Sequence, residues 1–175
     1  MAETIRGCRS GERYAQNRLY RAFYAWASAI CLRYTGNAEE ARECMQDGFF
    51  KVFTKIEQFA GAAQNFGGWI RRIIVNEALD FIKANPAFKK HEALEAATEI
   101  GELPASEREE AAENILHLLK QLPLMTATVF NLFALEGYSH QEISAQLGIT
   151  ETHSKWRLHS ARQQLQGLLR QTTAL

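Results

Sequence analysis

The chain is poor in proline, with three prolines in 175 residues and none before Pro86. Proline lacks a backbone donor and interrupts helices and sheets, so long helices are permitted throughout the first half. The strict alternation of polar and apolar residues that is typical of half-buried strands is also missing. We therefore predict an all-α fold.

Cysteines and long apolar runs are equally scarce. The three cysteines, Cys8, Cys31 and Cys44, include no C-x-x-C pair, which excludes a disulfide framework and a zinc site. We expect Cys31 and Cys44 to be buried as small apolar side chains. No apolar run is long enough to cross a bilayer, and charged residues interrupt the N-terminal segment where a signal peptide would be apolar. These features predict a cytoplasmic protein.

Motifs of enzymes are absent. G-x-x-x-x-G-K-[ST], H-E-x-x-H and G-x-S-x-G do not occur. Two of the five histidines, His153 and His159, are six residues apart, which does not place two metal ligands on one helix face. We expect no catalytic residue, no metal and no cofactor.

The formal net charge is +0, but the charges are unevenly distributed. Basic residues outnumber acidic ones through Lys90, whereas from His91 to Ala111 Arg108 is the only basic residue. The acidic residues of that stretch are Glu92, Glu95, Glu99, Glu102, Glu107, Glu109 and Glu110. We predict two small helical domains, residues 1–86 and 111–175, joined by an acidic linker over residues 87–110. Local basic patches can attract phosphate despite a zero sum.

Helical periodicity and glycine clusters locate the elements of the first domain. Gly36-Asn37 ends one long helix and a second begins near Ala38. Gly61, Asn65, Gly67 and Gly68 indicate a loop over 59–68. A third helix is predicted from Trp69 to about Ala84.

The segment 136–150 has the pattern of a helix-turn-helix, preceded by a helix predicted over 126–136. Ser139 and Glu142 form a capping box, and Gly148 permits the left-handed turn that ends the helix. Thr150 then caps a helix that runs from Glu151 to about residue 169. Such a helix can lie in a DNA major groove. The alternative is an αα-hairpin that binds no nucleic acid, and the basic residues Lys155, Arg157 and Arg162 favour DNA.

Two segments of the first domain each have two interpretations. A polar stripe of Glu39, Glu40, Glu43, Gln46 and Asp47 is either a solvated acidic face or a docking surface for a basic partner helix. Chemistry alone favours the solvated face.

The loop over 59–68, followed by Arg71 and Arg72, is the second segment. Its aromatic residues would stack on unpaired bases of melted DNA, with the arginines attracting phosphate. The alternative is that Phe59, Phe66 and Trp69 belong to the core.

Taken in order, these segments resemble the extracytoplasmic-function (ECF) group of bacterial sigma factors over about residues 10–169, linker excepted. The most specific stretches are Gln46-Asp47-Gly48-Phe49, Gly68-Trp69-Ile70-Arg71-Arg72-Ile73, Ala78-Leu79-Asp80, Leu122-Pro123 with Val129-Phe130, and Glu136-Gly137-Tyr138-Ser139. The resemblance implies a sigma factor that binds core RNA polymerase, recognises promoter DNA, separates its strands and starts transcription, without being an enzyme. It also implies that an anti-sigma factor is a possible partner.

The resemblance assigns roles to matching positions. Core polymerase binding is implied for Glu43, Gln46 and Asp47. Contact with the −10 element is implied for Phe59, Asn65, Phe66, Arg71, Arg72, Asn76, Asp80 and Lys83. Contact with the −35 element is implied for His153, Lys155, Trp156, His159 and Ser160, while Arg157 and Arg162 contact phosphates or brace the helix.

Some residues depart from the family pattern. Ala127 and Ser160 stand where basic residues are usual, Trp156 where a small residue is common, and Arg42 where an acid is usual. We therefore expect weak intrinsic DNA affinity. We also expect the acidic linker to hinder DNA binding by the free protein.

Two rival functions remain. An autonomous helix-turn-helix regulator would bind DNA without polymerase, but it has no use for the segment 46–76. A helical adaptor that binds no DNA would tolerate loss of Lys155 and Arg157.

Overall fold

The computed structural model describes residues 1–84 and 117–173, and the chain divides into two compact units, Met1–Pro86 and Ala87–Leu175. No β-strand occurs in the described ranges, which confirms the all-α prediction. No helix in the same ranges is long and apolar enough to span a membrane. Those ranges also hold no cluster of three or more metal-binding side chains. The predicted acidic linker lies outside the described residues.

The first unit has four described helices, α1 (Ala2–Arg9), α2 (Arg13–Tyr34), α3 (Ala38–Lys55) and α4 (Phe66–Ala84). Asn37 caps α3, because its side-chain oxygen accepts a hydrogen bond from the Glu40 backbone N–H at 2.9 Å. Helices α2, α3 and α4 pack against one another, and α1 packs against α2.

Apolar side chains at helical spacing fill the centre of this unit. The fully buried ones include Leu19, Ala27, Ile30, Cys31, Val52, Phe66, Ile70, Ile74, Val75, Ala78 and Leu79. Cys44 is also buried, so the prediction for the two helical cysteines is confirmed. Gly48 allows α3 to approach α4 closely, since a Cβ there would lie 2.6 Å from the Ile74 Cδ1 atom.

Two boundaries differ from the predictions. Helix α1 is not among the predicted elements, although its own side chains Ile5 and Cys8 are buried. Helix α4 begins at Phe66 rather than Trp69, because a 3₁₀ turn at Ala63–Asn65 leads directly into it. The exposed loop is therefore shorter than predicted.

The second unit contains a helical segment at residues 117–120, α5 (Leu124–Phe130), α6 (His140–Leu147) and α7 (Glu151–Thr173). Between α5 and α6 lies a π-helical segment, Asn131–Leu135, in which the Glu136 N–H donates to the Asn131 carbonyl at 3.0 Å. The helix predicted over 126–136 begins two residues earlier, at Leu124, changes to a π-helix at Asn131 and ends at Leu135. Short π segments of this kind occur frequently at functional sites.

The ends of α6 and the start of α7 have the predicted capping residues. Ser139 and Glu142 form both hydrogen bonds of a capping box, and Gly148 adopts φ 71°, the left-handed conformation that favours glycine. Thr150 caps α7 by accepting from the His153 N–H at 3.1 Å. These three predictions are confirmed.

Candidate nucleic-acid and polymerase interfaces

The polar stripe of α3 is open to solvent in the first unit except at Glu40, which is half-buried. Glu43, Gln46 and Asp47 are all exposed, and their spacing places them on one helix face. The buried residues Cys44, Met45 and Phe49 face the core. Within the first unit, these three side chains are therefore accessible to a partner protein.

Phe50 continues this stripe and was missed by the sequence analysis. It lies seven residues after Glu43, so it shares the same face, and 68% of it is exposed. A large apolar side chain beside carboxylates suits a partner helix that offers both cations and apolar surface. Helical spacing alone places Phe50 on the polar face of α3. The adjacent Phe49 lies on the buried face, so the pair looks like two core residues in the sequence.

The aromatic residues of the loop lie in the core. Phe59 is 6% exposed and Phe66 is 0% exposed. Their ring centroids are 4.9 Å apart, and Trp69 stacks on Phe66 at 5.5 Å. The alternative of core aromatics is therefore the correct one for Phe59 and Phe66, because each gains more from burial than from exposure.

The segment between these aromatic residues is exposed. Gly61 packs against the Phe59 ring, and Asn65 is open to solvent. The exposed members of the segment are Ala60, Gly61, Ala62, Gln64 and Asn65. A short exposed loop is thus closed at its base by the packed rings of Phe59 and Phe66.

Arg9 fixes the first residue of this loop. Its guanidinium donates a hydrogen bond to the Phe59 carbonyl. Helix α1 also packs against the 3₁₀ turn Ile56–Gln58 that precedes the loop. Arg9 could not be predicted from the sequence, because a hydrogen bond between residues 50 positions apart has no local signal.

One face of α4 carries half of the residues implied for the −10 element. Arg72, Asn76, Asp80 and Lys83 follow one another at four- and three-residue steps, which places them along one side of the helix. Arg72 and Asp80 are exposed, whereas Asn76 and Lys83 are half-buried. Arg71 is half-buried and lies more than a third of a turn from the middle of this row.

Acidic residues of α4 are paired with α3. Lys51 forms an ion pair with Glu77 and lies 3.8 Å from Asp80. The Glu77 carboxylate raises the pKa of Lys51 by accepting its hydrogen bond. Asp80 therefore adds less negative charge to the exposed face than its sequence position suggests.

The exposed face of α7 carries an aromatic residue at its centre. Trp156 is 57% exposed, and His159 and Lys155 are exposed beside it. His153 and Ser160 are half-buried at the edge, and Arg162 lies 5.9 Å over the Phe133 ring. Thr152 and Gln163, which were not predicted, lie on the same side as Trp156 and are exposed.

Arg157 lies about a quarter turn around α7 from Trp156, and its side chain is buried. It is 7% exposed, and its Nη1 donates to the Thr126 hydroxyl of α5 at 3.0 Å. Burial lowers the pKa of the Arg157 guanidinium. Of the two roles left open for this residue, bracing the helix is the one that the structure supports, and direct contact with DNA is not.

A histidine links the two helices of the motif. His140 Nδ1 lies 2.9 Å from the Ser154 hydroxyl, and its ring stacks on Phe133 at 4.5 Å. Ser154 is fully buried. Burial, followed by the Lys155 charge, lowers the pKa of His140, which favours the neutral form of the ring.

Ala127 is also placed differently from the expectation. It is buried with Leu119, Leu122 and Ala161 in the core of this unit. The Ala127 side chain itself therefore belongs to the core of this unit and not to the exposed face of α7.

Each of the two units matches a different region of the same protein family. Residues 19–86 match the family described as Sigma-70 region 2, and residues 112–165 match Sigma-70, region 4. Together the two matches span most of the chain.

Two curated relatives and one solved structure are similar over most of the chain. The ECF RNA polymerase sigma factor SigE of Mycolicibacterium smegmatis is 29% identical over 87% of this chain, which spans 58% of that protein. SigM of Mycobacterium tuberculosis is 25% identical over 96% of this chain and 84% of its own length. The sigma factor RpoE of Bartonella quintana, solved with the anti-sigma factor NepR, has a TM-score of 0.55 at 18% identity, covering 88% of this chain and 96% of that one. This last likeness shows the fold.

Proposed function

Because the chain belongs to the extracytoplasmic-function group of the sigma-70 family, we propose that it binds core RNA polymerase and directs it to promoters. It contributes binding surfaces and no catalytic group, since the polymerase makes the RNA. It acts in the cytoplasm, where polymerase and chromosome meet. The observation that carries the proposal is the exposed row formed by Glu43, Gln46, Asp47 and Phe50 in the domain that also bears the loop.

That row docks on a basic helix of core polymerase. Glu43 and Asp47 supply charge complementarity, and Phe50 supplies the apolar contact that gives an interface most of its affinity. An autonomous helix-turn-helix regulator has no use for such a row, which argues against the first rival function.

Promoter DNA is bound by both domains. In the first domain, the loop segment 60–65 and the row formed by Arg72, Asn76 and Lys83 hold the separated −10 strand. Phe59 and Phe66 shape the loop from inside rather than stacking on bases. In the second domain, α7 enters the major groove of the −35 element with Trp156, His159 and Lys155 facing the bases.

Strand separation follows from differential binding. A loop that accepts an unpaired base stabilises melted DNA over duplex, which offsets the cost of unstacking, a few kcal/mol. The two domains on one chain raise the effective concentration of the second contact once the first is made. An anti-sigma factor that covers either DNA-binding surface would block initiation.

Mixing the full chain with core polymerase and genomic DNA, followed by mapping of transcription starts, tests the proposal. We expect new starts that share two upstream elements. Asp47→Lys should weaken core binding at least tenfold, because it places a cation against a basic partner. Glu3→Lys, the same charge change on an exposed residue of α1, is the matched control. Equal core affinity for wild type and Asp47→Lys would contradict the docking surface.

A further inference from the structure

Trp156 is held outward from α7 before any DNA is present. Its side chain is 57% exposed, whereas Ser154, Leu158 and Ala161 of the same helix are buried on the other side. A large exposed indole in the first two turns of a helix destined for the major groove is placed among base edges.

The position of the indole is set by its neighbours. The Arg157 guanidinium lies 5.4 Å from the centre of the Trp156 ring, within the range of a cation–π contact. Arg157 is itself anchored by burial and by Thr126 of α5. The His153 ring lies 5.9 Å from the indole on the preceding turn. Trp156 therefore approaches DNA in a preset orientation, with little further ordering required on binding.

The chemistry of the major groove limits what an indole can recognise. Most base-edge groups there are hydrogen-bond donors or acceptors, and the apolar one is the 5-methyl group of thymine. An indole face pressed against polar edges would deprive them of water without replacing their hydrogen bonds, which is unfavourable. Against a methyl group, both surfaces gain by leaving water.

We propose that Trp156 is a specificity-determining residue of the −35 contact and that it recognises the 5-methyl group of one thymine. This inference rests on the proposed function, since it requires α7 to enter the groove. It also gives Arg157 a positioning role, because its contact with the ring fixes where the methyl group must lie.

Replacing thymine by uracil tests the proposal, since the exchange deletes only the methyl group. Holoenzyme formed from core polymerase and the full chain first selects its sites from promoter fragments with a randomised −35 region. Each thymine of the selected element is then replaced by uracil. We expect one replacement to lower wild-type holoenzyme affinity about fourfold, the effect of losing one buried methyl group.

Variants of the chain assign that effect to the indole. Trp156→Ala should lose the thymine-over-uracil preference at that position, and Trp156→Phe should keep part of it. Leu169→Ala, which removes another exposed apolar side chain of α7, is the control and should keep all of it. Unchanged circular dichroism and core affinity for Trp156→Ala establish that this variant folds.

Two results overturn the inference while leaving the proposed function intact. One is a selected −35 element without thymine, and the other is a thymine-over-uracil preference that persists in Trp156→Ala. Failure of the wild-type chain to bind core polymerase or to select any site would overturn both.

Discussion

At the scale of single residues, burial separates side chains that the sequence makes look alike. Lys155, Arg157 and Arg162 are all basic residues of α7, yet Lys155 and Arg162 are exposed and Arg157 is buried against Thr126. Periodicity places Arg157 three residues after Ser154, on the buried side, but a charged residue is rarely buried and is not expected there. The helix could be predicted from the sequence, and the role of this residue could not.

Arg157→Ala should destabilise the second unit by about 1–3 kcal/mol, because it leaves the buried Thr126 hydroxyl without its donor. Hydrogen exchange of α7 amides in the full chain measures this. Arg170→Ala, at an exposed site of the same helix, should change stability by no more than about 0.5 kcal/mol. If Arg157 instead contacted phosphate, Arg157→Met would reduce the salt dependence of DNA binding by about one unit of slope.

His140 should make the stability of the second unit depend on pH. Burial and the charges of Lys155 and Arg162 lower its pKa from the ordinary value of 6.5, and Glu151 opposes them. The unfolded chain therefore takes up the proton at higher pH than the folded one, so stability is lost as pH falls through about 6.5. Urea unfolding at pH 7.5 and pH 5.5 should show a larger loss for wild type than for His140→Gln. Equal losses in the two proteins would contradict the prediction.

At the scale of elements, local signals were sufficient wherever the controlling contacts are local. The capping box at Ser139, the left-handed Gly148 and the cap of α3 at Asn37 involve residues four positions apart or fewer. Helix α1 and the position of Phe59 depend instead on packing between distant segments. The loop was therefore predicted as a loop, but which of its side chains face solvent was not.

Helix α1 should act on the loop through Arg9. Arg9→Ala removes the hydrogen bond to the Phe59 carbonyl, so the loop loses its fixed start. We expect holoenzyme affinity for a single-stranded −10 oligonucleotide to fall about three- to tenfold, the equivalent of one net hydrogen bond, with core affinity unchanged. Arg6→Ala removes an exposed arginine from the same helix and should leave both affinities unchanged. An equal loss of oligonucleotide affinity in Arg9→Ala and Arg6→Ala would show that the loss of one positive charge, and not the hydrogen bond to Phe59, is the cause.

A second substitution, at the close contact between α1 and α2, should also disturb the loop. A Cβ at Gly7 would lie 2.6 Å from the Ala15 Cβ, and neither atom can rotate away. Gly7→Ala must therefore push α1 outward and displace Arg9 with it. Gly7→Ala should lower holoenzyme affinity for the single-stranded oligonucleotide as much as Arg9→Ala does. Because Gly7→Ala keeps the Arg9 charge, an equal loss would show that Arg9 positions the loop and does not contact phosphate directly.

At the scale of the whole molecule, the net charge of +0 is unexpected for a protein that binds DNA. Lys+Arg and Asp+Glu are equal at 20 each, yet the chain is proposed to bind a polyanion at two places. The glutamates between His91 and Ala111 account for much of the acidic share. These glutamates lie in the sequence between the two DNA-binding domains. We expect their negative charges to compete with DNA for the basic surfaces of both domains.

Neutralising part of this connector should strengthen DNA binding by the free protein. Glu95, Glu99 and Glu102 changed together to Gln remove three negative charges, and we expect affinity for a promoter duplex to rise about tenfold at low salt, with a smaller gain at high salt. Changing Glu3, Glu12 and Glu57 to Gln alters net charge equally at exposed sites of the first unit, outside the polar stripe of α3. If competition by the connector is the cause, the connector variant must gain more than this control, and the difference must vanish once core polymerase is bound. Equal gains would mean that net charge alone sets the affinity and that the connector does not cover the DNA-binding surfaces.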